Sequence, residues 1–256
     1  MTTISVLTRV RHKELYERMK QSAEENAFSG VDFAVESDNG QPRLAESYNR
    51  MVAACPSDIV VFAHDDAVFL TPGWDERLRD LLSSPDINVV GVVGAKNYKG
   101  GTAFWGGYPD CVGKYVTQKE GLSRVKLFSG HTGIVPVSVV DSFFFAARRQ
   151  DVYARMFDQS FDGLFFYDLD LMLRLGKVIV ADILMGHYKP ANLYGSYPVD
   201  MRPMSDYWDY FHMKHSLKPG KFAKEQRCAS VSLQDYALLG PSALYAKFES
   251  EFMVKK

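Results

Sequence analysis

The opening third of the chain repeats a single unit, a short apolar run followed by a longer stretch of helical periodicity. Residues 4–7, 31–35, 59–63 and 89–93 read as strands, and 12–27, 43–55 and 74–83 as helices between them. Strand, helix, strand in this order cannot close as a hairpin meander. It predicts an α/β fold whose mostly parallel sheet is buried under helices on both faces. Ligands of such sheets bind beyond the carboxyl ends of the strands. The greasiest strand, Ile59 to Ala63, ends there in His64-Asp65-Asp66, with no cation within several positions.

Composition narrows the class of partner. The 30 basic and 31 acidic residues of this 256-residue chain leave a formal charge of -1, so no nucleic-acid partner is indicated. Cys55, Cys111 and Cys228 are far apart and lack metal-ligand spacing, which fits a reducing compartment. No apolar stretch approaches the roughly 20 residues of a membrane span, and the start has no leader pattern. A cytoplasmic protein is expected, with peripheral contact at the inner membrane face left open.

Past Gly94 the pattern changes. A segment dense in glycine and aromatics, "GAKNYKGGTAFWGGYPDCVGKY", reads as loops and short strands. A strand over 139–146, a helix starting near Asp151, a helix over 168–175 and a strand over 178–182 follow, and helices are expected in the remainder. The organisation is one body over 1–195 and a helical, aromatic extension over 196–256 packed on it.

Adjacent aspartates often only cap a turn or helix. At a strand end of a parallel sheet they also stand where Mg²⁺ or Mn²⁺ binds, since these ions take oxygen ligands and keep one or two protein carboxylates beside substrate phosphates. A nucleoside diphosphate held through the metal is the matching partner. Downstream, Asp170 and Arg174 are four apart and pair on one helix face. Asp168 has no partner at that spacing and is either an N-cap or a reacting group. A helix N-terminus is expected to keep its pKa low. Asp38 and Asn39 read as a turn, and Asn49, inside a helix, as a capping or packing residue.

Four stretches, in order, resemble the GT-A nucleotide-sugar glycosyltransferases of family 2: "LAESYNRMVAACPSDIVVFAHDDAVFLTPGW", "VDSFFFAARRQDVYARM", "FDQSFDGLFFYDLDLMLRLGKVIV" and "GHYKP". The resemblance implies a GT-A sheet and a divalent ion held by Asp66 with Asp65 in support and His187 completing the site. It implies nucleotide contacts at Asp38, Asn39, Asn49, Asp65 and Asp141, and a general base at Asp168. Three positions depart from the family pattern: His64 where Asp is common, Tyr167 before Asp168 where Glu is common, and Ser142 where Gly often follows Asp141.

The implied reaction is inverting transfer from a nucleoside-diphosphate sugar to a hydroxyl of a glycan or lipid-linked acceptor, in bacterial surface-polysaccharide synthesis. Trp105 and Tyr108 either stack on a sugar or anchor their loop. His131 is a weaker site candidate. The basic, aromatic stretch 202–227 serves as a lid, a membrane contact or a homodimer contact. A sugar-phosphate nucleotidyltransferase would need a glycine-rich loop after the first strand, and "SVLTRVRHKEL" has no glycine. A non-catalytic module that binds sugar nucleotides stays open.

Overall fold

The computed structural model describes residues 2–38, 43–101, 103–107, 110–119, 122–128, 133–161, 163–188, 202–218, 228–234 and 236–237. The N-terminal alternation is β1 (Ile4–Val10), α1 (Lys13–Asn26), β2 (Asp32–Ser37), α2 (Leu44–Ala54) and β3 (Ile59–Ala63), then β4 (Ala67–Phe69) and α3 (Trp74–Ser83). After β5 (Val89–Gly91) and β6 (Val93–Ala95) come a 3₁₀ turn (Phe104–Gly107), β7 (Cys111–Lys119) and β8 (Leu122–Phe128). β9 (Val135–Val137), β10 (Val139–Val140), β11 (Phe144–Arg148), α4 (Arg149–Arg155), α5 (Tyr167–Leu175), β12 (Val178–Val180) and β13 (Met185–His187) follow. α6 (Arg202–Lys214) and β14 (Ala229–Ser232) close the described chain, so the C-terminal region contributes a strand beside its helix.

A seven-stranded sheet runs in the order β2-β1-β3-β11-β5-β12-β9. β3 is buried at every residue because it lies between β1 and β11, which explains its unbroken apolar run. The parallel pairs are β1 with β2, β1 with β3, and β5 with β12. β11 enters antiparallel between β3 and β5, with Phe145 paired to Phe62 and their rings 4.5 Å apart. α3 buries Trp74, Leu78, Leu81 and Leu82 at helical spacing.

A second sheet, β10-β6-β7-β13-β4, adjoins the first, with β8 paired to β7 and to β14. Two expected strands are divided between the sheets. Residues 89–93 break at Val92 into β5 and β6, and 139–146 break into β10 and β11, each half in a different sheet. β3 to β4 and β12 to β13 cross in the same way. The backbones meet closely at the crossings: a Cβ on Gly113, whose φ is +99, would lie 2.2 Å from the Val92 carbonyl oxygen. Only glycine fits there without a shift.

The aromatic stretch at the C-terminus turns inward. Phe211 is fully buried, stacked at 4.6 Å on Phe166, and Tyr207 and Trp208 pack against the same core. Among the described residues, no helix is long and apolar enough to cross a membrane. Cys55 and Cys111 are buried thiols and Cys228 is a half-buried one.

Candidate active site

The crossing from β3 to β4 is a tight turn in which the Ala67 N–H donates to the His64 carbonyl at 3.1 Å. Asp65 and Asp66 occupy its two central positions, so their side chains diverge. Asp66 is 7% exposed and points toward His187 at the end of β13, which pairs with β4 so that His187 lies opposite Ala67. Asp66 Oδ1 is 3.2 Å from His187 Nε2 and 3.8 Å from His64 Nδ1. One ligand atom from each of His64, Asp66 and His187 lies within 4.8 Å of the other two. His187 Nε2 is buried and makes no hydrogen bond. A buried, unsatisfied imidazole nitrogen beside a carboxylate oxygen and a second imidazole is a donor set that suits a first-row divalent ion.

Asp65 makes a separate set of contacts. Its Oδ2 accepts the backbone N–H groups of Arg11 and His12, both at 2.8 Å, and so fastens the start of α1 to the β3 end. It stands outside the cluster, and His64 occupies the place expected for it. The sequence carried one overlooked signal. Residues two apart around a strand end tend to share a side, which pairs 64 with 66 and sets 65 apart.

The second acidic position is Asp168, the second residue of α5 and 7% exposed. Burial pushes its pKa up to about 6, a rise that the nearby Asp141 charge adds to and that the Leu169 N–H and the Ser142 side chain oppose. This corrects the low pKa expected from the helix terminus, because the desolvation of a carboxylate inside an aromatic wall outweighs the helix dipole. Asp170 is different. Burial would raise its pKa too, but hydrogen bonds from His215 and Lys214 and the Arg174 cation outweigh it and hold the carboxyl below the ordinary value. Its contacts are to Arg174 Nε at 2.8 Å, Lys214 Nζ at 2.7 Å and His215 Nε2 at 2.9 Å.

Phe143, which the sequence reading passed over as a core residue, joins the two halves of the site. Its N–H donates to Asp141 Oδ1 at 3.0 Å, its carbonyl accepts the His64 N–H at 3.0 Å, and its ring stacks on His187 at 4.7 Å. Asp141 thus caps its own loop while lying beside Asp168. Asp38 sits at the end of β2, 3.2 Å from the Arg9 guanidinium, on the same edge of the sheet.

Asn49 is engaged with Phe157. Its amide donates to the Phe157 carbonyl at 2.9 Å and accepts the Phe157 N–H at 2.8 Å, both in the core. The side chain clamps α2 to the segment after α4. Asn39, Tyr108 and His131 lie outside the described residues, as does the Trp105 side chain.

A His-Asp-His cluster with the donor set for a metal ion and a buried carboxylate of raised pKa lie near the places where strands cross from a parallel-cored sheet to a second one, and the fold is that of the GT-A glycosyltransferases. The chain belongs to the glycosyltransferase-like family, whose profile matches residues 5–187. No curated protein matches it in sequence. Among solved structures it is similar to GalNAc-T7 with UDP, GalNAc and Mn²⁺, at 10% identity and a TM-score of 0.55 over 99% of this chain and 57% of that one. It is also similar to the mannosyltransferase PcManGT of Pyrobaculum calidifontis with GDP-Man and Mn²⁺, at 9% identity and a TM-score of 0.50 over 97% of this chain and 75% of that one. The chain thus spans a little over half of the GalNAc-T7 structure. These likenesses establish the fold.

Proposed function

We propose that this glycosyltransferase is inverting and metal-dependent, moving a sugar from a nucleoside-diphosphate sugar to a hydroxyl of a glycan or lipid-linked acceptor in bacterial surface-polysaccharide synthesis. The observation that carries the reading is the pairing, through Phe143, of the His64, Asp66 and His187 cluster with Asp168, a buried carboxylate of raised pKa. Structures of similar fold hold UDP or GDP-Man with Mn²⁺, which supports the donor class and the ion.

His64, Asp66 and His187 would hold a divalent cation, which would supply Lewis-acid charge at the diphosphate leaving group. Asp38, with Arg9 beside it, faces the nucleoside side of the strand ends. Asp141 holds the loop that carries Phe143, and so keeps His187 stacked in place. Asp168 accepts the proton of the acceptor hydroxyl as that oxygen bonds to the anomeric carbon. The bond from that carbon to the diphosphate oxygen breaks with its electron pair leaving on the nucleoside diphosphate. One displacement of this kind inverts the anomeric centre.

The test is hydrolysis and transfer from a panel of nucleotide sugars with Mn²⁺, for the parent, Asp66→Ala and Asp168→Asn. At least one donor should turn over. Asp66→Ala should lose nucleotide affinity and turnover together, while Asp168→Asn keeps affinity and loses about 10²–10⁴-fold in rate. Donor hydrolysis that is indifferent to both changes would discard the reading.

A further inference from the structure

His187 is the last residue of β13, the place where a strand frays most easily, yet its imidazole must stay beside Asp66 for the cluster to exist. The peptide that follows is held on both sides. The Tyr188 N–H donates to the Asp66 backbone carbonyl at 3.0 Å, tying the two ligand-bearing segments together directly. The Tyr188 carbonyl accepts Arg18 Nη2 from α1 at 3.2 Å, and the Arg18 guanidinium lies over the Tyr188 ring, 5.4 Å from its centroid. α1 packs along β4, so Arg18 reaches this peptide from a rigid helix.

The arrangement carries a cost that stability alone does not explain. Arg18 Nε is buried without a hydrogen-bond partner, and an unmet buried donor costs about 1–3 kcal/mol. A guanidinium placed for its own satisfaction would not leave that nitrogen bare. Its placement matches the carbonyl and the ring of the residue directly after His187.

We propose that Arg18 is a positioning residue for the metal centre: by gripping Tyr188 it fixes the strand end that presents His187 to Asp66. The inference rests on the metal role of the cluster. Groups that orient a metal ligand from behind change metal affinity about 10–100-fold when removed. Arg18 acts at one remove further, through the backbone of the adjoining residue.

The experiment is titration with Mn²⁺ alone, followed by electron paramagnetic resonance of the free ion, on the parent, His187→Ala, Arg18→Ala and Arg18→Lys, with thermal melting of each metal-free protein. His187→Ala should lose the site. Arg18→Ala should bind Mn²⁺ about 10-fold more weakly. Arg18→Lys, which keeps a cation and one donor, should recover part of the affinity, a rescue that general destabilisation would not produce. If Arg18→Ala does not fold, Arg18→Gln replaces it with the same expectation. Arg18 variants that bind Mn²⁺ as tightly as the parent, while His187→Ala does not, would overturn the positioning role and leave the metal site standing. A His187→Ala protein that binds like the parent would overturn both.

Discussion

Asp168 keeps a carboxylate where the protein least easily holds a charge, and that sets both its chemistry and its cost. With its pKa raised to about 6, it is a stronger base than an exposed aspartate, and the base form accumulates only as the pH climbs through that value. Transfer should therefore fall on the acid side below about pH 6, a limb measurable in kcat against pH and absent from Asp168→Asn. The stability consequence has the opposite sense. The folded pKa lies above the unfolded one, so the folded state binds the proton more tightly, and the fold loses stability as the pH rises from the unfolded value toward 6. Above that, the ionised group costs on the order of 3 kcal/mol. Asp168→Asn should accordingly melt at a higher temperature than the parent at pH 8, and at a similar one near pH 4. The position of Asp168 was legible from the order of motifs. Its pKa was not, because the burial behind it comes from residues distant in the chain. The spacing of two that sets His64 beside Asp66 was present in the sequence, whereas the approach of His187 to both depends on the pairing of β13 with β4, strands distant in the chain.

Between α5 and α6 the buried carboxylate of Asp170 gathers Arg174, Lys214 and His215, while Asp158 takes the other side of Lys214 and the Tyr210 hydroxyl. This fastens the helix that carries Asp168 to the C-terminal helix. Asp170→Asn leaves Arg174, Lys214 and His215 partly unpaired, and because Lys214 and Arg174 still reach water the loss should be about 1–3 kcal/mol by urea unfolding, with turnover of the folded protein retained. The depressed pKa means that this contribution is present above the ordinary aspartate value and is lost as the pH falls through the lower, folded one. Elements that bury one clean face were readable in the sequence. β3 runs over the residues expected for it, and so does α3, with its apolar positions at helical spacing. The crossings were not readable. Val92 continues an apolar run that looks like one strand, and only the meeting of two sheets, with Gly91 and Gly94 packed against Val139 and Val140, divides it. The antiparallel entry of β11 was hidden as well, since a strand buried between neighbours reads the same in either direction.

At the scale of the whole molecule, the metal cluster draws on segments far apart in the chain, so its occupancy should register in global stability. Two imidazoles and one carboxylate favour Mn²⁺ over Mg²⁺, which prefers oxygen ligands. Mn²⁺ at about 100 times its dissociation constant should add about 2.7 kcal/mol, a melting shift of several degrees, with a smaller shift for Mg²⁺ and none for Mn²⁺ in Asp66→Ala. Differential scanning calorimetry with and without chelator measures it. The crossings of strands between sheets have a further consequence, one of time. β3 and β5 follow one another along the chain among the strands of the first sheet but are joined only through β11, and His187 arrives later still, on the strand after β12. Such long-range pairing is slow to form, since loop closure must precede any gain from contact. A chain leaving the ribosome therefore carries His64 and Asp66 from early on without a centre to put them in, and it acquires one only when the two sheets have been stitched together. On the proposed metal role, an ion would be recruited last, by a protein already committed to its fold.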